Sequence, residues 1–316
     1  MVRFGIHTLE EFARALGNSR SHGVRAAYQL LDVGENPSEE RIQVFEDISF
    51  ALRTSNGTFR TTFRHRFQDV DTVVLKWMEK VYPSNAPLAI EDRAVSHALT
   101  SWEWAERLLA IFPQARFEAS DILLELIELS CGNEAFVVEP NGRPIQYVRP
   151  PFVVSLQHQE PRRYPLNRLV AARAKKRFAN LALPVGWMEQ AQSGAWKIRR
   201  IPYIHPHARE LSRRNPNFQV RLRSVFEISP VPCDVLRTMN IFNRSYFSDQ
   251  ELRNGFGAVH RSLAPGGLWM IGRTLEEDFS NHATLFRRQD QGWEVLERIG
   301  GGSEMEEFAL RGSVGA

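Results

Sequence analysis

The sequence predicts an α/β protein whose core is a mostly parallel sheet flanked by helices. Short apolar runs alternate with amphipathic stretches over residues 86–130, and the same alternation returns over residues 201–300. A helical stretch also ends in Pro265-Gly266-Gly267, directly before another apolar run. Proline stops a helix and glycine accepts positive φ, so this tripeptide separates a helix from a strand. Repeated strand–helix–strand units give parallel strands with helices on both faces of the sheet.

The composition is that of an ordinary globular protein. The chain has 316 residues, of which 43% are hydrophobic and 24% charged, enough to bury a full core. The two cysteines, Cys131 and Cys233, belong to no spaced cluster, so neither a disulfide framework nor a metal site is predicted. No apolar run reaches roughly 18 residues, and the N-terminus lacks the apolar segment of a signal peptide. We therefore expect no membrane span and a cytoplasmic location.

Residues 1–82 are predicted to form a helical N-terminal region. Apolar positions recur three and four residues apart in TLEEFARAL, SEERIQVFEDISFAL and VDTVVLKWMEKVY. The resulting apolar faces, which include Phe45, Ile48, Val74 and Met78, are too extensive to leave in water. The region is therefore expected to cap the following domain or to form a homodimer contact.

Residues 83–316 are predicted to form the sheet domain. In its first part, APLAIED and ARFEASD are short strands on either side of the helix LTSWEWAERLLAIF. The next stretch, ILLELIEL, is apolar throughout, and its periodicity leaves helix and strand both open. Beyond residue 200, the strands FQVRLRSVFE, CDVLRTMNIF and GLWMIGR alternate with the helices HARELSRRN and SDQELRNGFGAVHRSL. HATLFRRQ and GWEVLERIG are predicted to close the domain as an antiparallel pair.

Residues 131–200 depart from this alternation and are predicted to be an insertion. AFVVEPNGRPIQYVRPPFVV indicates a β-hairpin around Asn141-Gly142, and YPLNRLVAARAKKRFANLAL indicates a basic helix. Residues 161–200 hold ten Lys or Arg and one acid, Glu189, a local charge of +9 in a chain of net charge +3. This basic stretch is either a solvated helix face or a surface for an anionic partner. Nucleic acid is not the expected partner, because aromatic residues for base stacking are sparse there.

The stretch from Asp234 to Arg273 resembles part of the class I S-adenosylmethionine-dependent methyltransferases. In that family an aspartate-led apolar strand ends near an asparagine, a helix follows, and Leu-x-Pro-Gly-Gly introduces the fifth strand. LAPGGLWMIG at residues 263–272 matches this pattern closely. The resemblance covers residues 86–128 and 201–300. It implies a Rossmann-like methyltransferase sheet, here with a helical N-terminal region and an inserted β-hairpin and basic helix.

The same resemblance implies a cofactor loop after the first strand. The family pattern is an acid followed by glycine at every second position, whereas this chain has Asp92-x-Ala94-x-Ser96-x-Ala98. In one interpretation these small residues leave room for S-adenosylmethionine, and Asp92 anchors the loop near its methionine portion. In the other, the pocket has degenerated, because alanine is disfavoured wherever φ is positive.

The resemblance implies further cofactor contacts at the ends of the other strands. Asp121 occupies the position of an acid that binds both ribose hydroxyls, and as an alternative it could cap a following helix. Ser224 and Val225 lie where family members contact the adenine. Arg237 and Asn240 would face the reaction side. Because an unpaired buried guanidinium is costly, Arg237 should pair with Asp92 or Glu91, or else bind a ligand carboxylate.

These residues lead to two functional hypotheses. The first is S-adenosylmethionine-dependent methyl transfer to a small or carrier-held acceptor. The second is a catalytically silent, methyltransferase-like scaffold or regulatory partner. Sulfonium is already a good leaving group, so positioning supplies much of the rate and the sequence identifies no catalytic base.

Overall fold

The computed structural model describes residues 1–16, 25–55, 60–181, 183, 187 and 196–312. The helices are α1 Leu9–Leu16, α2 Glu39–Phe50, α3 Gln68–Val81, α4 Leu99–Ile111, α5 Pro165–Ala179, α6 Pro206–Arg214, α7 Asp249–Ser262 and α8 Glu306–Gly312. The strands are β1 Ala89–Arg93, β2 Arg116–Asp121, β3 Glu125–Cys131, β4 Glu134–Val138, β5 Pro144–Arg149, β6 Phe152–Ser155, β7 Lys197–Pro202, β8 Phe218–Leu222, β9 Cys233–Met239, β10 Leu263–Thr274, β11 Asn281–Gln289 and β12 Gly292–Ile299. The chain forms two compact units, the first from residues 1–62 and 123–206 and the second from residues 63–122 and 207–316.

The second unit contains a seven-stranded sheet in the order β12-β11-β10-β9-β1-β2-β8. Five of these strands are parallel neighbours, namely β8, β2, β1, β9 and β10. The chain first builds outward from β1 to β2 and β8, and then returns to the other side of β1 with β9 and β10. This reversal of strand order is the feature of the Rossmann-type fold, in which ligands bind beyond the carboxyl ends of the strands at the reversal. In this sheet the reversal is at β1. The predicted Rossmann-like α/β class is therefore confirmed.

The far edge of this sheet is a hairpin. β11 runs antiparallel to β10, and β12 runs antiparallel to β11, as predicted for the closing pair. Before it, α7 begins with a capping box formed by Ser248 and Glu251 and ends at Ser262. β10 begins directly at Leu263, so the turn residue Gly266, with φ of 77°, lies inside an irregular first part of the strand.

The first unit contains a five-stranded antiparallel sheet in the order β6-β5-β4-β3-β7. The predicted hairpin around Asn141-Gly142 is present as β4 and β5, and the predicted basic helix is α5. The sheet is larger than a hairpin because ILLELIEL becomes β3, which pairs with β4 on one side and β7 on the other. Periodicity alone could not separate helix from strand there, and these two neighbours decide it.

The N-terminal helices bury their apolar faces within the units to which they belong. Phe45, Ile48 and Leu52 are fully buried in a cluster with Leu126 and Tyr203 of the first unit. These side chains therefore do not require a second subunit to cover them, and the homodimer stays a prediction.

The helix α3 belongs to the second unit, although the predicted N-terminal region extended to residue 82. The predicted domain limits, residues 1–82 and 83–316 with an insertion at about 131–200, remain predictions, because the two units do not test them. Within the described part of the chain, none of the helices is long and apolar enough to cross a membrane.

Candidate functional site

The loop between β1 and α4 has the backbone shape of a glycine loop. Ala94, Ser96 and Ala98 have φ angles of 61°, 58° and 64°, in the left-handed region that favours glycine. These are the three positions where the family resemblance calls for glycine. A left-handed conformation costs a residue with a Cβ roughly 1–2 kcal/mol, so the surrounding structure must stabilise the loop.

Asp121 is the residue that holds this loop against β2. It is the last residue of β2 and is buried, and its Oδ2 accepts a hydrogen bond of 2.8 Å from the Ser96 backbone N–H. The Val95 N–H donates to the Ser120 carbonyl at 3.2 Å, which adds a second link between the loop and the strand. The alternative role of Asp121 as a helix cap is wrong, because the residues that follow it form a strand rather than a helix.

Arg237 and Asp92 form a buried ion pair beneath the loop. The two residues are neighbours on the paired strands β9 and β1. The Arg237 Nε donates to Asp92 Oδ1 at 3.0 Å and its Nη2 donates to Oδ2 at 2.5 Å, while the Nη1 donates to Asp71 of α3. The Ser101 hydroxyl also donates to Asp92 Oδ2, at 2.6 Å. The predicted pairing of Arg237 with Asp92 is therefore confirmed, and Asp71 is a second partner that the sequence reading missed.

The group Asp71, Arg237 and Asp92, called here the buried triad, has two carboxyl groups for one guanidinium. Burial raises the pKa of Asp71 to about 7; Arg237 opposes this rise and Asp92 adds to it. Although burial opposes the change, Asp92 and Asp71 together raise the pKa of Arg237. The guanidinium is fully buried and lies 4.3 Å from the centroid of Trp104. A sequence signal for Asp71 did exist, since it lies on the apolar face of α3 that contains Val74.

The opposite face of β1 carries a second buried arginine. Arg93 donates to Glu91 Oε2 from Nε at 2.8 Å and from Nη2 at 2.7 Å. It also donates to Ser229 Oγ at 2.7 Å, to Ser262 Oγ at 2.9 Å and to the Glu227 carbonyl at 2.8 Å. Arg93 thus anchors the loop that follows β8 to strand β1. The sequence did not single this residue out.

Ser224 and Val225 lie in that loop and stabilise it. The Ser224 N–H donates to Glu227 Oε1 at 2.8 Å, and the Ser224 Oγ accepts from the Phe226 N–H at 3.3 Å. Val225 is buried in a cluster that includes Phe242. Their predicted contact with an adenine stays a prediction.

Asn240 links the carboxyl ends of β9 and β10. Its φ is 60°, its N–H donates to the Gly272 carbonyl at 2.8 Å, and its Oδ1 accepts from the Thr274 N–H at 2.7 Å. The Thr274 hydroxyl in turn donates to Asn281 Oδ1 at 2.8 Å and accepts from Arg66 Nε at 3.0 Å. Thr274 therefore links Asn240 to Arg66 and Asn281 by hydrogen bonds.

Arg66 and Asn281 line an open cleft of about 740 Å³ in the second unit. The Phe63 and Phe279 rings meet edge to face with centroids 5.5 Å apart, and the Arg66 guanidinium lies 5.4 Å from the Phe63 centroid. Burial lowers the pKa of Arg66 to about 10. The cleft is formed by α3 and the turn before it, the β10–β11 hairpin and the end of β12; its lining residues are Phe63, His65, Arg66, Gln68, Asp69, Thr72, Phe279, Ser280, Asn281, Ile299 and Gly300.

The nine predicted cofactor-binding residues thus fall into three groups, one of which is Ser224 and Val225 in the loop after β8. Ala94, Ser96, Ala98 and Asp121 come together at the carboxyl ends of β1 and β2. The polar atoms of Asp92, Arg237 and Asn240 are used in internal hydrogen bonds. Among the described residues, no group of three or more His, Cys, Asp or Glu side chains is placed to hold a metal ion.

No protein-family model matches the chain, and no curated protein sequence matches it. Solved structures do match. An O-methyltransferase family protein from Burkholderia thailandensis has a TM-score of 0.31 and 13% identity, over 76% of this chain and 43% of that chain. The 1,6-didemethyltoxoflavin N1-methyltransferase of the same organism has a TM-score of 0.34 and 11% identity, over 79% and 67% of the two chains. The sugar N-methyltransferase KedS8 from Streptoalloteichus has a TM-score of 0.32 and 12% identity, over 80% and 79%.

These matched structures are methyltransferases, the family that the sequence resembles. The match spans less than half the length of the first of them. Identities of 11–13% and TM-scores of 0.31–0.34 are too low to transfer any property of these proteins, so the function of this chain rests on its own residues.

Proposed function

We propose that this protein binds S-adenosylmethionine and transfers its methyl group to a small or carrier-held acceptor. The observation that carries the proposal is the loop at residues 94–98, whose alternate residues are left-handed without being glycine. A strained backbone that the fold maintains at a strand-order reversal is typical of a binding site. Asp121 supports the proposal because its carboxylate fixes the loop at the end of the neighbouring strand.

The described residues fit such a cofactor in part. The backbone at Ala94, Ser96 and Ala98 has the left-handed conformation that glycine adopts in such loops. Asp121 supplies a carboxylate that could accept hydrogen bonds from a ribose. Asp92 and Arg237 fit differently, because their charged atoms bind each other. We infer that Asp92 and Arg237 support the loop and do not contact the cofactor.

When bound, the cofactor supplies a methyl group on a sulfonium, which needs little acid–base assistance to leave. The chain's own contribution is then to orient the acceptor and to exclude water. We propose that the acceptor binds in the cleft around Arg66, since Thr274 connects that residue to Asn240 at the end of β9. Phe63 and Phe279 offer aromatic edges there, and Arg66 offers a cation.

A second candidate function is a catalytically silent, methyltransferase-like scaffold. The buried triad favours it, because the charged groups of Asp92 and Arg237 bind each other and are not left for a ligand. The absence of glycine at residues 94, 96 and 98 also favours it, since the left-handed conformation of these residues carries a steric cost.

Calorimetric titration of the full chain with S-adenosylmethionine and with S-adenosylhomocysteine tests the two functions. Saturable binding is expected, and Asp121→Ala should weaken it by about 1–3 kcal/mol because the ligand's donors lose their acceptor. Asp121→Asn keeps one carbonyl oxygen and should lose less. Asp249→Ala is the matched control, since Asp249 is an exposed acid at the start of α7 and should leave affinity unchanged.

The outcome at millimolar cofactor decides between enzyme and scaffold. If the folded wild-type chain shows no saturable heat with either compound, the methyl-transfer proposal fails and the scaffold remains. If binding occurs but Asp121→Ala and Asp249→Ala behave alike, the cofactor binds elsewhere and the assignment of the loop is wrong.

A further inference from the structure

Three arginines surround one tyrosine ring in the first unit. The guanidinium carbons of Arg3, Arg25 and Arg163 lie 6.0, 5.5 and 5.1 Å from the ring centroid of Tyr164. One carboxylate lies with them, Glu160, which forms a buried ion pair with Arg25. Arg3, Arg25, Arg163 and Tyr164 are called here the arginine cluster.

The arginine cluster is held together by contacts between segments far apart in sequence. The Arg3 N–H donates to Asn167 Oδ1 at 3.0 Å, and the Asn167 Nδ2 donates to the Arg3 carbonyl at 2.9 Å. Asn167 is fully buried in the first turn of α5, so the N-terminal segment is fixed against this helix. The Arg25 Nη1 donates to the Val153 carbonyl at 3.3 Å, which fixes the second arginine to β6.

The cluster has an uncompensated positive charge. Arg25 is paired with Glu160, whereas among the described residues neither Arg3 nor Arg163 forms an ion pair. Burial lowers the pKa of Arg3, and the nearby charges of Arg25 and Arg163 lower it further, while Tyr164 and Glu160 act in the opposite direction. Within the part of the chain that the structure describes, Glu160 is the acid that acts on Arg3, and it is already paired with Arg25.

The surroundings add to this positive potential. α5 begins at Pro165, immediately after Tyr164, with no side-chain cap and no acid in its first turn. The positive end of the helix dipole therefore lies beside the arginines. Arg162, which is exposed, directly precedes Arg163 in the chain.

We propose that the arginine cluster is a binding site for the phosphate group of a phosphorylated ligand. An excess of two positive charges matches a phosphate monoester, which carries about −1.5 to −2 charge at neutral pH. Guanidinium groups bind phosphate oxygens in bidentate fashion, which lysines cannot do. Arg3 and Arg163 contact the phosphate, whereas the buried Arg25–Glu160 pair positions Tyr164 and the start of α5. The arginine cluster belongs to the first unit, and this proposal does not depend on the proposed methyl transfer.

Titration of the full chain with inorganic phosphate, at ionic strength held constant with chloride, tests the site. Calorimetry should show saturable binding, and Arg163→Gln should raise the dissociation constant about tenfold, the effect of losing one charge-assisted hydrogen bond. Arg3→Gln should act in the same direction. Acetate in place of phosphate should bind at least several-fold more weakly, because one carboxylate carries half the charge.

The matched control is Arg173→Gln, which removes the same kind of side chain from within α5. Arg173 is exposed and lies nine residues beyond Tyr164, about 14 Å along the axis, and its loss should leave phosphate affinity unchanged. Equal weakening by Arg173→Gln and Arg163→Gln would mean a diffuse basic surface and would overturn the site. So would wild-type protein that shows no saturation with millimolar phosphate, or acetate binding as tight as phosphate binding.

Discussion

Replacing Ala94 by glycine should stabilise the protein, although glycine usually weakens a fold. Ala94 has φ of 61°, where a Cβ costs roughly 1–2 kcal/mol. Glycine removes this cost but increases the entropy of the unfolded chain, which offsets about 0.4–1 kcal/mol. The expected net gain is about 0.5–1 kcal/mol in the free energy of unfolding. For a domain of roughly 150–250 residues, 1 kcal/mol corresponds to about 2–4 °C in Tm.

The other two loop positions refine this expectation. Ser96 is half-buried and has φ of 58°, so Ser96→Gly should give a similar gain in stability. The substitution keeps the backbone N–H that donates to Asp121. Ala98 is fully buried, so Ala98→Gly also loses an apolar methyl group worth about 0.8 kcal/mol and should be close to neutral.

Urea unfolding followed by tryptophan fluorescence measures these differences. The control is Ala110→Gly, at an exposed helical position in the last turn of α4, which should destabilise by up to about 1 kcal/mol. The expected signature is therefore an opposite sign for the same substitution at residues 94 and 110. A loss of stability at residue 94 comparable with that at residue 110 would show that the loop is not left-handed there.

Two further predictions concern the buried triad. Arg237→Met should destabilise the protein by about 3–5 kcal/mol, because two buried carboxyl groups lose the guanidinium that pairs with both. Arg244→Met, at a 64% exposed side chain, should change stability by less than about 1 kcal/mol in the same urea assay. Comparable effects of the two substitutions would contradict the triad. Burial raises the pKa of Asp71 from 3.8 to about 7, so between those values the folded protein holds a proton that the unfolded chain has released. The free energy of unfolding should therefore fall as pH rises through this window, and Asp71→Asn should flatten that fall when urea midpoints are compared from about pH 5 to about pH 8. Identical pH profiles for wild type and Asp71→Asn would refute the assignment.

Much of the fold could be read from the sequence because its signals are local. The Pro265-Gly266-Gly267 turn, the capping residues of α7 and the alternation of apolar runs each depend on neighbours a few residues away. The parallel core and the closing antiparallel pair followed from these signals. The segment Glu125–Cys131 did not, because its continuous apolar run suits a helix and a strand equally until its pairing partners are known.

The candidate site, like the fold, could be predicted from the sequence only in part. The sequence by itself determined which residues stand at the strand ends, and so brought Ala94, Ser96, Ala98 and Asp121 into one proposal. Only the tertiary structure decided what those strand ends contact. Arg237 and Asp71 are 166 residues apart, and Arg3 and Asn167 are 164 apart, yet each pair is in direct contact. No periodicity in the chain encodes such a contact, because it forms only when elements distant in sequence pack together. Burial in the packed protein then restricts the conformations of the side chains and shifts their pKa values.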